Sequence, residues 1–173
     1  MGMELSFLDW IQSLRTPFGD VFWPLVTRLG NKGMVWILMA AVLLLIPKTR
    51  KSGIILAVAL CVDLILCNEI MKPVFARSRP FHVNAAVSLL IRMPADFSFP
   101  SGHTAASFTA VAALYFAGER KLWKPALVLA ALIAFSRLYL YVHYPTDILG
   151  GMAVGIIAGY LGCRIAGMLM RRP

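Results

Sequence analysis

Nearly all the polar residues that could do chemistry fall in three short stretches, at residues 72–80, 100–103 and 136–147. Among their cations are Lys72, Arg79 and Arg137. A single charged residue at the end of an apolar helix is often only an interfacial anchor. Three cations together are different, because guanidinium groups match the oxygens of a tetrahedral oxyanion. This grouping predicts a phosphate ligand.

His143 and Asp147 have the spacing of a nucleophile and its orienting carboxylate. Pro145 lies between them and predicts the start of a helix, so Asp147 can reach back to the imidazole. A carboxylate that accepts the Nδ1–H fixes the tautomer, leaves Nε2 free to attack and stabilises the positive ring. We therefore expect His143 to attack phosphorus. His103 is expected to protonate the leaving group and later to activate water.

Ser101 and Gly102 precede the third apolar stretch. We expect Ser101 to be the N-cap of a helix there and Gly102 to let a ligand approach the backbone, so that nearby N–H groups bind phosphate oxygens. A metal site built from His103, His143 and Asp147 is the rival use of the same residues. The surrounding lysine and arginine side chains would repel a divalent cation, so neither a metal nor another cofactor is expected.

The rest of the sequence has the composition of a membrane protein. Sixty per cent of the 173 residues are hydrophobic and 14% are charged, whereas about 25% of residues are charged in soluble domains. The net charge of +9 does not indicate nucleic-acid binding, because many cations lie beside apolar stretches, where they would meet anionic lipid headgroups. No linker or repeat divides the chain, so we expect one membrane-embedded domain over residues 1–173.

Five apolar stretches predict the spanning helices of an all-α membrane bundle. They cover residues 33–46, 53–71, 104–117, 125–141 and 148–170. Several are shorter than the roughly 20 residues that cross a hydrocarbon core, so the helices must extend into their flanks or cross a thinned bilayer. Residues 1–30 predict an interfacial helical segment. In the competing interpretation, residues 21–29 belong to a longer, broken first span. We expect a bundle of about five to six transmembrane helices.

The basic residues between the spans predict the orientation of the chain. With five spans, three basic clusters fall on one side: Lys48, Arg50 and Lys51; Arg120, Lys121 and Lys124; Arg171 and Arg172. The positive-inside rule places that side in the cytoplasm. The three polar stretches then share the outer face of the inner (plasma) membrane.

Two charged residues near the cations are expected to support the site. Glu69 lies three residues before Lys72 on nearly the same helix face, which predicts an orienting pair. Arg77 either adds to the phosphate cluster, where it could bind a second phosphate, or contacts a lipid headgroup.

Glycines recur at every fourth position of the last apolar stretch. They allow close approach of another helix, in the same chain or in a dimer. These are Gly151, Gly155 and Gly159.

Together, the three polar stretches resemble the signature of the PAP2 (type-2 phosphatidic acid phosphatase) superfamily. That signature is Lys-x6-Arg-Pro, then Pro-Ser-Gly-His, then Ser-Arg-x5-His-x3-Asp. Every signature position is matched in order, by Lys72, Arg79, Pro80, Pro100, Ser101, Gly102, His103, Ser136, Arg137, His143 and Asp147.

The resemblance implies a helical bundle with a core like that of the related haloperoxidases, an outward-facing site, a phosphohistidine on His143 and His103 as the acid. It also implies a metal-independent lipid phosphatase. In the small bacterial members, undecaprenyl diphosphate is a common substrate, which would link the chain to cell wall biogenesis. Phosphatidylglycerol phosphate and phosphatidic acid are the alternatives, and the motifs do not separate them. A non-catalytic lipid-phosphate binding protein is the alternative from a different class, and the oligomeric state stays open.

Overall fold

A computed structural model describes residues 2–171, and the chain is helical without a strand in that range. The all-α prediction is therefore confirmed. Arg172, part of the predicted basic end, lies outside the described residues. In chain order the helices are α1 (Gly2–Ser13), α2 (Pro17–Leu29), α3 (Met34–Leu45), α4 (Arg50–Asp63), α5 (Lys72–Phe75), α6 (Pro80–Val83), α7 (Gly102–Phe116), α8 (Trp123–Tyr139) and α9 (Pro145–Leu169), with a 3₁₀ turn at Asn31–Gly33 and a π-helix at Leu64–Met71.

Each of the five predicted apolar stretches falls on a helix, although the helices differ in length. Within residues 2–171, the continuous run Arg50–Val83 and α9 are long and apolar enough to cross a membrane, with mean hydropathies of 2.3 and 1.7. By contrast, α7 and α8 have 15 and 17 residues, fewer than the roughly 20 that cross a hydrocarbon core. These two helices end close to their apolar stretches and do not extend into the flanks.

A bend separates α2 from α3. Pro17–Leu29 and Asn31–Leu45 meet the criteria for a span only as a pair, bent by 42°, either as one broken span or as a re-entrant loop. The first of these two arrangements is that of the competing interpretation for residues 21–29. Lys32 and Gly33 form the bend with positive φ angles of 52° and 68°, in the left-handed region that favours glycine.

The close packing of α9 on α7 is intramolecular. A Cβ on Gly155 would lie 2.5 Å from the Ala105 carbonyl oxygen, and one on Gly151 would lie 2.7 Å from that of Ser101. The glycine stripe therefore lets α9 approach the α7 backbone directly. As a result, the start of α9 is fixed beside the start of α7, where the Ser101 N–H donates to the Asp147 carbonyl at 3.1 Å.

Candidate active site

His143 lies on the buried connection between the end of α8 at Tyr139 and the start of α9 at Pro145, and only 1% of the residue is exposed. Its Nδ1 is 3.3 Å from Asp147 Oδ2, and its Nε2 is 3.3 Å from an Arg79 guanidinium nitrogen. Because arginine can only donate, Nε2 is the acceptor and Nδ1 carries the proton that Asp147 accepts. The ring is thus in the tautomer whose Nε2 lone pair can attack.

The Asp147 carboxylate is fully buried and receives donors on both oxygens. Besides His143, Oδ2 accepts from the Ser98 hydroxyl at 2.5 Å and from the Tyr144 N–H at 2.9 Å. Oδ1 accepts from the Arg77 guanidinium at 2.7 Å. Several charge-assisted hydrogen bonds hold this carboxylate in one position. A fixed carboxylate is what an orienting partner of His143 requires.

The surroundings of His143 favour a neutral imidazole. Burial lowers the pKa of His143 well below its ordinary value, and the positive charges of Arg79, Arg137 and Lys72 lower it further. A neutral ring keeps the lone pair that a nucleophile needs. The same cations would attract a negatively charged ligand to this ring.

The Asp96 carboxylate lies between two of the predicted phosphate-binding cations. Lys72 Nζ donates to one oxygen, and the Arg79 guanidinium donates to the other at 2.7 Å. Partial burial raises the pKa of Asp96, but the hydrogen bonds and charges of Lys72 and Arg79 outweigh it and hold that pKa well below its ordinary value. Asp96 is therefore an anion, and its two cations lie close enough together to share one oxyanion.

Arg137 is the third cation and is 3% exposed near the end of α8. One guanidinium nitrogen donates to the Thr27 hydroxyl at 2.6 Å, whereas Nε has no partner within the described part of the chain. An unpartnered N–H in a buried position is costly. This donor is available to a phosphate oxygen.

His103, in the first turn of α7, is oriented by the bend between α2 and α3. Its Nε2 donates to Asn31 Oδ1 at 3.0 Å. Gly102, the residue before it, lies beside Lys72, since a Cβ at that glycine would be 3.6 Å from Lys72 Nζ. His103 and Lys72 therefore lie on the same side of the site, beside the first turn of α7.

Ser101 is the N-cap residue of α7, as predicted. Its own N–H donates to the Asp147 carbonyl, and the role of Ser101 and Gly102 in phosphate binding stays a prediction. The expectation about Glu69 is wrong. Glu69 is exposed and forms no ion pair within residues 2–171, because Lys72 pairs with Asp96 instead. The reason is the π-helix over Leu64–Met71, whose hydrogen bonds join residues five apart, so the α-helical spacing used to pair Glu69 with Lys72 does not apply.

The Arg77 side chain is largely occupied by contacts with α1 and the start of α9. Its guanidinium donates to Asp147, Thr146 and Glu4, at 2.7, 2.7 and 2.6 Å, and lies 4.0 Å from the centre of the Tyr144 ring. Arg77 therefore supports the carboxylate beside His143. The sequence did not predict four of the contacting residues, because each is a lone polar residue far along the chain from its partner. These are Ser98, Asp96, Asn31 and Glu4.

A cavity of about 680 Å³ opens beside these residues. Lys72, Asp96 and His103 line its polar end. The rest of its wall is mostly apolar and comes largely from α3 and α4, including Ile37 and Leu60, although Asp63 and Asn68 also line it. A phosphate at the polar end could thus carry an apolar chain that continues along the cavity.

Comparison with family models matches residues 52–171 to the PAP2 superfamily. The chain belongs to the PAP2 superfamily. The match covers nearly all of α4 and all of α5 to α9, with every signature residue of this PAP2 chain, whereas α1, α2 and α3 precede it. Its long apolar helices make this PAP2 chain a membrane protein.

Two curated relatives of this chain are named undecaprenyl-diphosphatase. The PAP2 chain is 34% identical over 131 residues to an undecaprenyl-diphosphatase of Sulfolobus acidocaldarius and 37% identical over 105 residues to undecaprenyl-diphosphatase BcrC of Bacillus subtilis. The matches cover 76% and 61% of this chain and 63% and 53% of the relatives, so they span less than two thirds of the relatives' length. The crystal structure of Aquifex aeolicus LpxE is 30% identical, with a TM-score of 0.79 over 94% of this chain and 95% of that one.

Proposed function

We propose that this PAP2 protein is a lipid phosphatase that hydrolyses a phosphomonoester or diphosphate, with undecaprenyl diphosphate as the first expected substrate and undecaprenyl phosphate as the product. The names of the two curated relatives support this choice of lipid. The cavity also supports it, because a polar end lined by Lys72, Asp96 and His103 continues into a mostly apolar wall. Phosphatidylglycerol phosphate and phosphatidic acid are the alternative substrates.

In the first step, His143 Nε2 attacks phosphorus and forms a phosphohistidine. The bond from phosphorus to the leaving oxygen breaks, and His103 gives that oxygen a proton. Asp147 stabilises the positive charge that the His143 ring acquires. Lys72, Arg79 and the free Nε of Arg137 hold the equatorial oxygens of the phosphoryl group.

In the second step, water attacks the phosphorus of the phosphohistidine. His103, which has lost its proton, takes one from the water, and the bond between phosphorus and His143 Nε2 breaks. Inorganic phosphate leaves and both histidines return to their first state. We propose that lysine and arginine supply all the positive charge, so that hydrolysis needs no divalent metal. We also place the site on the outer face of the plasma membrane, in one domain over residues 1–173.

One observation carries the proposal. His143 Nδ1 faces the Asp147 carboxylate at 3.3 Å, while Nε2 faces the cationic side of the site. A protein that only bound lipid phosphate would need the cations but not a histidine with a fixed tautomer and an orienting carboxylate.

The test measures phosphate release by the detergent-purified protein in the presence of EDTA. Undecaprenyl diphosphate, phosphatidylglycerol phosphate and phosphatidic acid are compared in parallel, with wild type, His143→Ala and His143→Gln. We expect release by wild type, most from undecaprenyl diphosphate, and none above background from either variant. Release that requires added Mg²⁺ would contradict the metal-independent mechanism. Binding of all three lipids without release would instead identify a lipid-phosphate binding protein.

A further inference from the structure

The N-terminal helix α1 lies outside the matched family region, yet it packs on the segment that carries the proposed nucleophile. Leu8 is fully buried in one apolar cluster with Tyr141, Val142 and Tyr144, the residues on either side of His143. The Gln12 side chain also donates to the Tyr139 carbonyl at 2.8 Å. Helix α1 is therefore fixed directly against the connection between α8 and α9.

Glu4 extends this contact to the start of α9. Its Oε1 accepts from the Thr146 N–H at 3.1 Å and from the Thr146 hydroxyl at 2.6 Å. Thr146 is the second residue of α9, where backbone N–H groups lack partners within the helix. A carboxylate at this end of a helix is favourable because the helix dipole is positive there. Glu4 thus completes the N-terminal turn that carries Asp147.

The second oxygen of Glu4 leads to the proposed catalytic pair through Arg77. Oε2 accepts from one guanidinium nitrogen of Arg77 at 2.6 Å, and the other nitrogen donates to Asp147 Oδ1 at 2.7 Å. Asp147 then accepts from His143 Nδ1 through its other oxygen. A continuous set of hydrogen bonds therefore joins α1 to the imidazole. The Arg77 and Glu4 side chains are 20% and 21% exposed, so solvent screens this charge network only in part.

The net charge of Glu4, Arg77 and Asp147 determines how well Asp147 stabilises a positive charge on the His143 ring. Asp147 carries one negative charge and Arg77 one positive charge, so Arg77 alone would neutralise the carboxylate that stabilises a positive His143 ring. Glu4 adds a second negative charge and returns the net charge of the group to negative. Lys72, Arg79 and Arg137 already oppose a positive ring. Asp96 offsets part of their effect, and Glu4 supplies the further negative charge beside Asp147.

We propose that Glu4 is a positioning residue of the phosphatase: it holds Arg77 and the first turn of α9 so that Asp147 keeps His143 in the attacking tautomer. This inference rests on the proposed function. Glu4 touches neither the reacting atoms nor the cations that bind phosphate. Its loss should therefore lower kcat and leave KM almost unchanged.

The test compares Glu4→Gln with Asp9→Asn. Both variants remove one negative charge from α1, but Asp9 bonds to the Tyr141 hydroxyl and is not joined to Arg77 or Asp147. Groups that orient metal-bound histidines contribute about 10- to 100-fold. By analogy, we expect Glu4→Gln to lower kcat by about tenfold with KM within about twofold. Asp9→Asn should match wild type. Glu4→Asp, which keeps the charge with a shorter side chain, should recover part of the rate.

A second measurement does not depend on turnover. The sequence has three histidines, so ¹⁵N spectra of histidine-labelled protein, assigned with single His→Gln variants, report the tautomer of each ring. We expect a fixed Nδ1–H tautomer for His143 in wild type and Asp9→Asn, and a mixture of tautomers in Glu4→Gln. An unchanged kcat and tautomer in Glu4→Gln, or an equal loss in Asp9→Asn, would overturn the role of Glu4. Activity that survives in His143→Ala would overturn the proposed function instead.

Discussion

The Asp96→Asn variant tests how the proposed phosphate site binds its ligand. A phosphate that binds both Lys72 and Arg79 has to displace the Asp96 carboxylate that bridges them. Asparagine has nearly the same size but no charge, so it competes far less well for the two cations. We expect Asp96→Asn to bind phosphate analogues more tightly than wild type.

The size of the effect follows from the exposure of the three side chains. The Asp96 side chain is 51% exposed, so each pair is screened by solvent as at a surface, although Lys72 and Arg79 are buried at 9% and 3%. Exposed ion pairs contribute about 0.2–1 kcal/mol each, so two pairs at the upper end of that range give about 1–2 kcal/mol. This corresponds to roughly 5- to 30-fold in affinity. The inhibition constants of orthovanadate and inorganic phosphate should fall by that factor.

The pH dependence of this effect has a definite sign. The pKa of Asp96 is held well below its ordinary value, so its carboxylate stays ionised and competes at every pH above its ordinary pKa of about 4. The ratio of the two vanadate inhibition constants, wild type over Asp96→Asn, should therefore be constant between about pH 5 and pH 8. Any ionisation of vanadate itself cancels in this ratio.

Inhibition assays with purified wild type, Asp96→Asn and the charge-matched Asp9→Asn would measure this ratio. Asp9→Asn should resemble wild type, because Asp9 contacts Tyr141 and Asn84 and not the cations. Weaker binding of vanadate by Asp96→Asn would refute the reasoning. It would mean that Asp96 holds Lys72 and Arg79 in position for phosphate and does not compete with it.

Three further predictions follow from particular contacts. Ser98→Ala removes the hydroxyl that donates to Asp147 at 2.5 Å. It should lower kcat by about 5- to 30-fold, the effect of about 1–2 kcal/mol. An unchanged kcat in steady-state assays would show that Ser98 does not support Asp147. Gly155→Leu would force a side chain into the α7 backbone and should lower the thermal unfolding midpoint in detergent, while Gly167→Leu, where a Cβ meets nothing within 4 Å, should not. Because burial lowers the pKa of His143, its NMR signals should remain those of a neutral ring at about pH 5.5, and a titration midpoint at or above its ordinary value of about 6.5 would contradict that environment.

The sequence predicted the helices and the contact of His143 with Asp147 because both depend on local spacing. All five apolar stretches are helical, since continuous apolar runs of this length favour helices in a membrane. Asp147 reaches His143 because the first turn of a helix that starts at Pro145 places the carboxylate beside the preceding residues. The intramolecular fit of Gly155 against Ala105 follows from the same regular spacing.

Contacts between distant segments were not predictable in the same way. Glu4 reaches Arg77 across 73 positions and Ser98 reaches Asp147 across 49, so no sequence interval connects them. Asp96 is a single acidic residue in a loop, with no pattern around it. The Glu69 prediction failed for a different reason, since the change from α- to π-helix at Leu64 alters which side chains share a face.

The phosphohistidine itself is the most direct test of the account. Undecaprenyl diphosphate labelled with ³²P in its terminal phosphate would be mixed with wild type, His103→Gln and His143→Gln, and the reactions stopped with alkali, in which phosphohistidine survives. Peptide mapping then locates the label. We predict label on His143 in wild type and none in His143→Gln. Once formed, the label should be lost more slowly from His143 in His103→Gln, where the proposed water-activating base is absent. Label on another residue, or phosphate release by His143→Gln, would contradict the assignment of His143 as the nucleophile.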